Sequence, residues 1–317
     1  MELKKILGGM TLLAAAAILP SACINDDYDP ELIRLSVEGV GNTPTTRAAS
    51  TNALQNTQFE SGMGIQVEAY PTGGTATYTT GTYTTTSTAG TTAGSILLSG
   101  SLFYHPTSNI DICAYYPSTI ASASTTTFTV LADQTTASIA YYQNSDLMYA
   151  TKVSNVAKGT THGLTFNHAL SKIIVNISEG TGLVASDITT NVSAVKINNT
   201  YRTANVAFGA TAGVPSGVIT ATASTSDKSD ITITGTGADN VGIVVPQTIA
   251  ASTTLFTITY NSHDYTYEPA AAVTFDAGKY YTFNFTLNLA GLVLQSVIIT
   301  DWADGDSGSP TTPVINL

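Results

Sequence analysis

The sequence predicts an all-β protein folded as two tandem β-sandwich domains, and three observations lead there. Charged residues make up only 10% of the 317-residue chain while hydrophobic residues reach 43%, against roughly a quarter charged in ordinary soluble proteins. The polar remainder is dominated by Thr, Ser, Asn and Gly. Thr, Val, Ile and Tyr suit a pleated, half-buried surface, and Gly, Asn and Ser suit turns. Short strand-like runs recur at regular spacing between Gly, Thr, Ser and Pro breaks, and no run supports a helix longer than a turn or two.

Residues 1–22 read as a secretion signal. Lys4 and Lys5 form its basic start, and Ile6 to Leu19 is apolar but too short to span a bilayer as a mature helix. The stretch ends in Leu19-Pro20-Ser21-Ala22-Cys23. Small residues directly before Cys resemble a lipobox, with cleavage before Cys23 and a diacylglycerol thioether on its sulfur. Pro20 stands where that motif carries Leu. The acids of Asn25-Asp26-Asp27-Tyr28-Asp29 resemble the tag that sends Bacteroidetes-type lipoproteins to the outer face of the outer membrane; the bland alternative is a solvated linker. With Cys23 acylated, Cys113 has no partner within the chain and is expected as a small buried hydrophobe.

Leu32, Ile33, Leu35 and Val37 lie in a short alternating strand. Gly39 to Gln58 lacks a periodic apolar face, so Arg47, followed by Ala48, sits where a trypsin-like protease can reach it. A first block, 48–160, carries strand candidates at Gly64–Tyr70, Ala76–Thr86, Ser95–Tyr104, Ile110–Tyr116, Thr125–Leu131, Ala137–Tyr142 and Met148–Val153. A second block, 161–317, carries Ala169–Ile177, Val192–Ile197, Ala204–Phe208, Asp230–Thr234, Val241–Val245, Thr254–Tyr260, Lys279–Leu289 and Leu292–Thr300. A Gly- and Asp-rich hinge then leads to the apolar end Val314-Ile315-Asn316-Leu317, which has little reason to fold back and could complete a neighbour's sheet.

Several phrases resemble one family, the fimbrillins of Bacteroidales pili. They are Ala114-Tyr115-Tyr116-Pro117, Leu164-Thr165-Phe166-Asn167-His168-Ala169-Leu170-Ser171-Lys172-Ile173, Val245-Pro246-Gln247, Ala277-Gly278-Lys279-Tyr280-Tyr281 and Ile299-Thr300-Asp301-Trp302. The resemblance implies two transthyretin-like sandwiches and a lipidated precursor of an outer-membrane pilus. It implies an arginine-specific protease that cuts at Arg47–Ala48 and removes residues 23–47, including Leu32, Ile33, Leu35 and Val37. It also implies that other pilus subunits are partners. A donor strand from one subunit, drawn from Leu292, Leu294, Val297, Ile299, Val314, Ile315 and Leu317, would fill the groove vacated in the next. A host or bacterial surface receptor is a further possible partner.

Enzyme motifs do not hold up. Gly305-Asp306-Ser307-Gly308-Ser309-Pro310 looks like a serine-protease loop, but only ten residues follow Ser307 and no histidine has the matching context. Asp301, Asp304 and Asp306 echo half of a calcium loop without its closing Glu. The four histidines lack ligand spacing, and no glycine-rich stretch ends in Gly-Lys-Ser/Thr. No catalytic residue, cofactor or metal is therefore expected. A net charge of -11 argues against nucleic acid. The leading expectation is a polymerising pilus subunit; a pilus tip adhesin and a monomeric glycan- or ligand-binding lipoprotein are the alternatives.

Overall fold

The computed structural model describes residues 31–40, 59, 61–89, 95–135, 144–233 and 240–302. The expected strand at Ala137–Tyr142 lies outside them. In chain order the strands are β1 (Arg34–Val40), β2 (Gly64–Pro71), β3 (Thr79–Ala89), β4 (Ile96–Ser99), β5 (Ile110–Tyr116), β6 (Thr127–Thr129), β7 (Met148–Ala150), β8 (Val153–Val156), β9 (Thr161–His168) and β10 (Ser171–Glu179). A short helix, α1 (Ala185–Asn191), follows. Then come β11 (Val192–Tyr201), β12 (Thr203–Thr211), β13 (Val214–Ala223), β14 (Lys228–Thr232), β15 (Asn240–Val244), β16 (Gln247–Ile249), β17 (Phe256–Tyr260), β18 (His263–Tyr267), β19 (Val273–Phe275), β20 (Lys279–Asn288) and β21 (Gly291–Asp301). The class is all-β, as expected. Among the described residues no helix is long and apolar enough to cross a membrane.

The first sheet runs β2-β3-β4-β1-β9-β7-β5-β8, and β2 also pairs with β5. That extra pairing closes the ring through β5, so β1 is an interior stave with a neighbour on each side. Closure removes free edges. Inside lies one apolar core that includes Ile65, Val67, Tyr83, Ile112 and Phe166.

The second half has two four-stranded sheets, β15-β10-β20-β21 and β14-β11-β17-β18. Their inner faces follow the period of two that strands impose. Tyr281, Phe283, Phe285 and Leu287 of β20 are buried at alternate positions. They meet the other sheet through Phe256, whose ring centroid lies 4.7 Å from that of Phe283.

The expected division at residue 160 falls between β8 and β9, yet β9 belongs to the first sheet. The strand expected over Ala169–Ile177 starts later, as β10 at Ser171 after a bend at Ala169-Leu170, and β9 precedes that bend in a stretch where no strand is expected. Leu164, Phe166 and His168 are buried on β9, and Ile173 and Val175 on β10, so one continuous apolar stretch serves two cores. β5 does the same across its width. Ile110, Ile112, Ala114 and Tyr116 face the first core, while Cys113 and Tyr115 join the second. Tyr115 meets Phe208 of β12 edge to face at 5.0 Å. β6, from the first half, pairs with β12 in a three-stranded sheet, β13-β12-β6. Gly217 lets β13 approach the first sheet: it has φ +79°, and a Cβ there would stand 2.9 Å from the Ala150 carbonyl oxygen. Cys113 is fully buried, as expected, and burial pushes its thiol up to about 12.

Candidate functional site

The strand expected to be removable is β1, and its alternation explains its place. Ile33, Leu35 and Val37 are 2%, 1% and 3% exposed and point into the first core. Arg34 faces out. Leu32, just before the strand, is 42% exposed and forms an isolated antiparallel bridge with Phe103. On one side β1 runs antiparallel to β4, with Leu35 opposite Leu98 and Val37 opposite Ile96. On the other it runs parallel to β9, from Arg34 opposite Thr161 to Val40 opposite Phe166. A strand gripped along both edges gives up two ladders when it leaves.

Backbone and side-chain bonds fix its start. Ile33 N–H donates to the Leu102 carbonyl at 2.8 Å, and Tyr104 N–H donates to the Glu31 carbonyl at 3.0 Å. Tyr83, fully buried beneath the strand, donates its hydroxyl to the Ile33 carbonyl at 2.9 Å. Gly159 N–H donates to Glu31 Oε1 at 2.9 Å. Burial pushes the phenols of Tyr83 and Tyr104 up to about 12, so both stay neutral and neither brings charge to the core. Opposite Ser36, Gly163 leaves space that the Glu38 side chain crosses; any Cβ at Gly163 would overlap it.

The expected donor residues fall in two places. Leu292, Leu294, Val297 and Ile299 belong to β21, which pairs antiparallel with β20 from Asn288↔Gly291 to Lys279↔Asp301. Val297 is buried, and Leu292, Leu294 and Ile299 pack against the second core. These four side chains hold their own chain's sheet. β21 leads directly into Trp302, 2% exposed, whose ring lies flat on His168 with centroids 3.6 Å apart and planes 2° apart. His168 Nδ1 in turn lies 3.1 Å from Asp146 Oδ1. Val314, Ile315 and Leu317 lie outside the described residues, as do Cys23, Arg47 and Ala48.

Sequence reasoning missed the Tyr83 clamp, the parallel partnership with β9 and the Trp302–His168 stack. Each joins residues far apart in the chain, and no local spacing signals them. No cluster of three or more metal-ligating side chains occurs among the described residues.

A family model described as fimbrillin-like matches residues 46–302. The chain belongs to the fimbrillin-like family. It is a pilus-related structural or adhesion protein, and members of this family are structural proteins, not enzymes. The matched region of this fimbrillin-like chain begins after β1 and ends at Trp302. The fold is shared with a candidate cell adhesion protein from Bacteroides uniformis ATCC 8492, at 21% identity and TM-score 0.63, covering 86% of this chain and 98% of that one. A second such protein, from Bacteroides ovatus ATCC 8483, matches at 18% identity and TM-score 0.59, covering 88% and 99%. No curated protein sequence matches the chain.

Proposed function

We propose that this chain is a polymerising pilus subunit, exported as a lipoprotein on Cys23 and activated by an arginine-specific cut at Arg47–Ala48. The cut frees the strand carrying Leu32, Ile33, Leu35 and Val37. A strand from a second subunit takes its place.

The observation that carries the reading is the position of β1 as an interior stave of a closed sheet. Its loss leaves β4 and β9 with facing rows of unpaired N–H and C=O groups over three vacated apolar pockets. Strand addition is the physical remedy for such a slot. Of Val314, Ile315 and Leu317, only Ile315 and Leu317 share a face, and burying two such side chains in the places of Ile33 and Leu35 gives about 3–6 kcal/mol before ordering costs. Membership of the fimbrillin-like family supports a pilus subunit. Because β21 holds its own sheet, Val314, Ile315 and Leu317 are the donor residues we favour over Leu292, Leu294, Val297 and Ile299. A head-to-tail contact of this kind does not close on itself and yields a fibre.

The test is cleavage of the chain from Cys23 onward with an arginine-specific protease, following the cut by mass spectrometry and the products by SDS gel. A cut at Arg47, release of β1 and SDS-resistant ladders are expected. A cut chain that keeps β1 or stays monomeric would refute the reading.

A further inference from the structure

An aromatic patch adjoins the slot at the end where β1 begins. Along residues 102–105, inward Leu102 and Tyr104 alternate with outward Phe103 and His105. Phe103 is 42% exposed and bridges Leu32. Tyr78, also exposed, sets its ring edge-on to His105 at 4.7 Å, and its hydroxyl donates to the Tyr104 carbonyl at 3.5 Å. The patch therefore continues the slot outward onto the surface.

We propose that Phe103, His105 and Tyr78 form a docking surface for the segment Pro310-Thr311-Thr312-Pro313 of a second copy of this chain. The inference rests on the strand-exchange reading and names the contact that would fix its register. Leu32-Ile33-Arg34-Leu35 and Val314-Ile315-Asn316-Leu317 share one pattern: an apolar residue, Ile, a polar residue, Leu. Setting Ile315 in the place of Ile33 keeps the N–H bond to Leu102 and the carbonyl bond from Tyr83. Pro313 then takes the place of Glu31, which meets Tyr104 through its carbonyl, a group proline retains. Sliding the segment by two residues puts Pro313 in the place of Ile33 and loses the bond to Leu102. In the retained register Val314 lies on Phe103, and the antiparallel course carries Thr312 past His105 toward Tyr78. Proline-rich segments favour an extended backbone that costs little to order, and their rings suit aromatic surfaces.

A second copy fits better than the chain's own tail. Trp302 is stacked on His168, beyond the Val40 end of β1, and the patch lies at the opposite end. About ten strand residues separate those levels, roughly 33 Å. The roughly eleven residues from Trp302 to Pro313 reach at most about 40 Å. The chain's own tail would run almost fully extended and then reverse direction to enter the slot.

The test times SDS-resistant ladders after cleavage of the chain from Cys23 onward. Wild type is compared with Tyr78→Ser/Phe103→Ser, with Pro310→Gly/Pro313→Gly and with all four changes together. Urea midpoints of the uncut chains check folding; if Tyr78→Ser lowers the midpoint, Phe103→Ser alone carries the comparison. Each double variant is expected to slow ladder growth roughly tenfold. The fourfold variant is expected to be no slower than either, because both pairs remove one contact. Wild-type rates in both double variants, or effects that multiply, overturn the docking surface and leave strand exchange standing. A wild-type chain that is cut after Arg47 but stays monomeric overturns strand exchange, and the docking surface with it.

Discussion

Replacing Leu35 by alanine isolates what β1 contributes to the chain. Leu35 is 1% exposed, at the centre of the three inward residues and opposite Leu98. It lies between two ladders, so the backbone cannot collapse readily into the space left. Such a site belongs in the range of about 2–5 kcal/mol for Leu→Ala. The uncut chain should lose that much in urea unfolding, with an unchanged dependence on denaturant concentration. The proposed cleavage at Arg47 would turn β1 from a tethered strand into a bound peptide, and the same loss would then appear in its release. At about 1.4 kcal/mol per factor of ten, release should quicken by roughly 30-fold to several-thousand-fold. Mass spectrometry of the separated peptide against time measures it. A stability change below about 1 kcal/mol, with release at the wild-type rate, would refute the placement of Leu35 in the core.

Three further outcomes follow from the same contacts. Gly163→Val should destabilise the chain by about 1–3 kcal/mol, because its side chain meets Glu38, and Glu38→Ala should restore most of the loss in thermal melts. Tyr70, Tyr83, Tyr104 and Tyr281 are each pushed up to about 12, chiefly by burial. The folded chain therefore keeps protons that the unfolded chain releases near pH 10, so stability is full below pH 10 and falls as pH rises toward 12. Denaturant midpoints across that window check the sign, and a rise would refute it. Cys113 should resist thiol reagents in the folded state and react on unfolding, because it is fully buried and its thiol is pushed up to about 12; rapid labelling at pH 8 without unfolding would contradict its position.

The local pattern located most of the strands that are apolar on alternate positions, such as β17 and β20, and the continuously apolar β5. It passed over β9, β13, β16, β18 and β19, and met β8 only at Val153. β13 opens on Pro215 and Gly217 and alternates only from there, with Val218 outward and Ile219 and Ala221 inward, and β18 carries exposed His263, Asp264 and Thr266 without a buried face. β16 and β19 are three residues each, too short for a period to register. The candidate site was half legible. Ile33, Leu35 and Val37 announced an inward face, but nothing nearby in sequence announced β4 and β9 as their neighbours. Leu292, Leu294, Val297 and Ile299 looked equally suited to pairing at home or abroad, because alternation describes a face and not a partner.

By itself the sequence determined the class, the segments able to form strands, the apolar side of β1, and the absence of a spaced catalytic or ligand set. These depend on residue size, branching and period, which act over a few positions. Tertiary structure alone decided that β1 is an interior stave, that β9 crosses the expected boundary, and that β21 closes its own sheet against β20. It also decided that Trp302 is held by His168. Strand pairing is settled by which distant edges and apolar faces can be satisfied together, and that is a property of the whole chain.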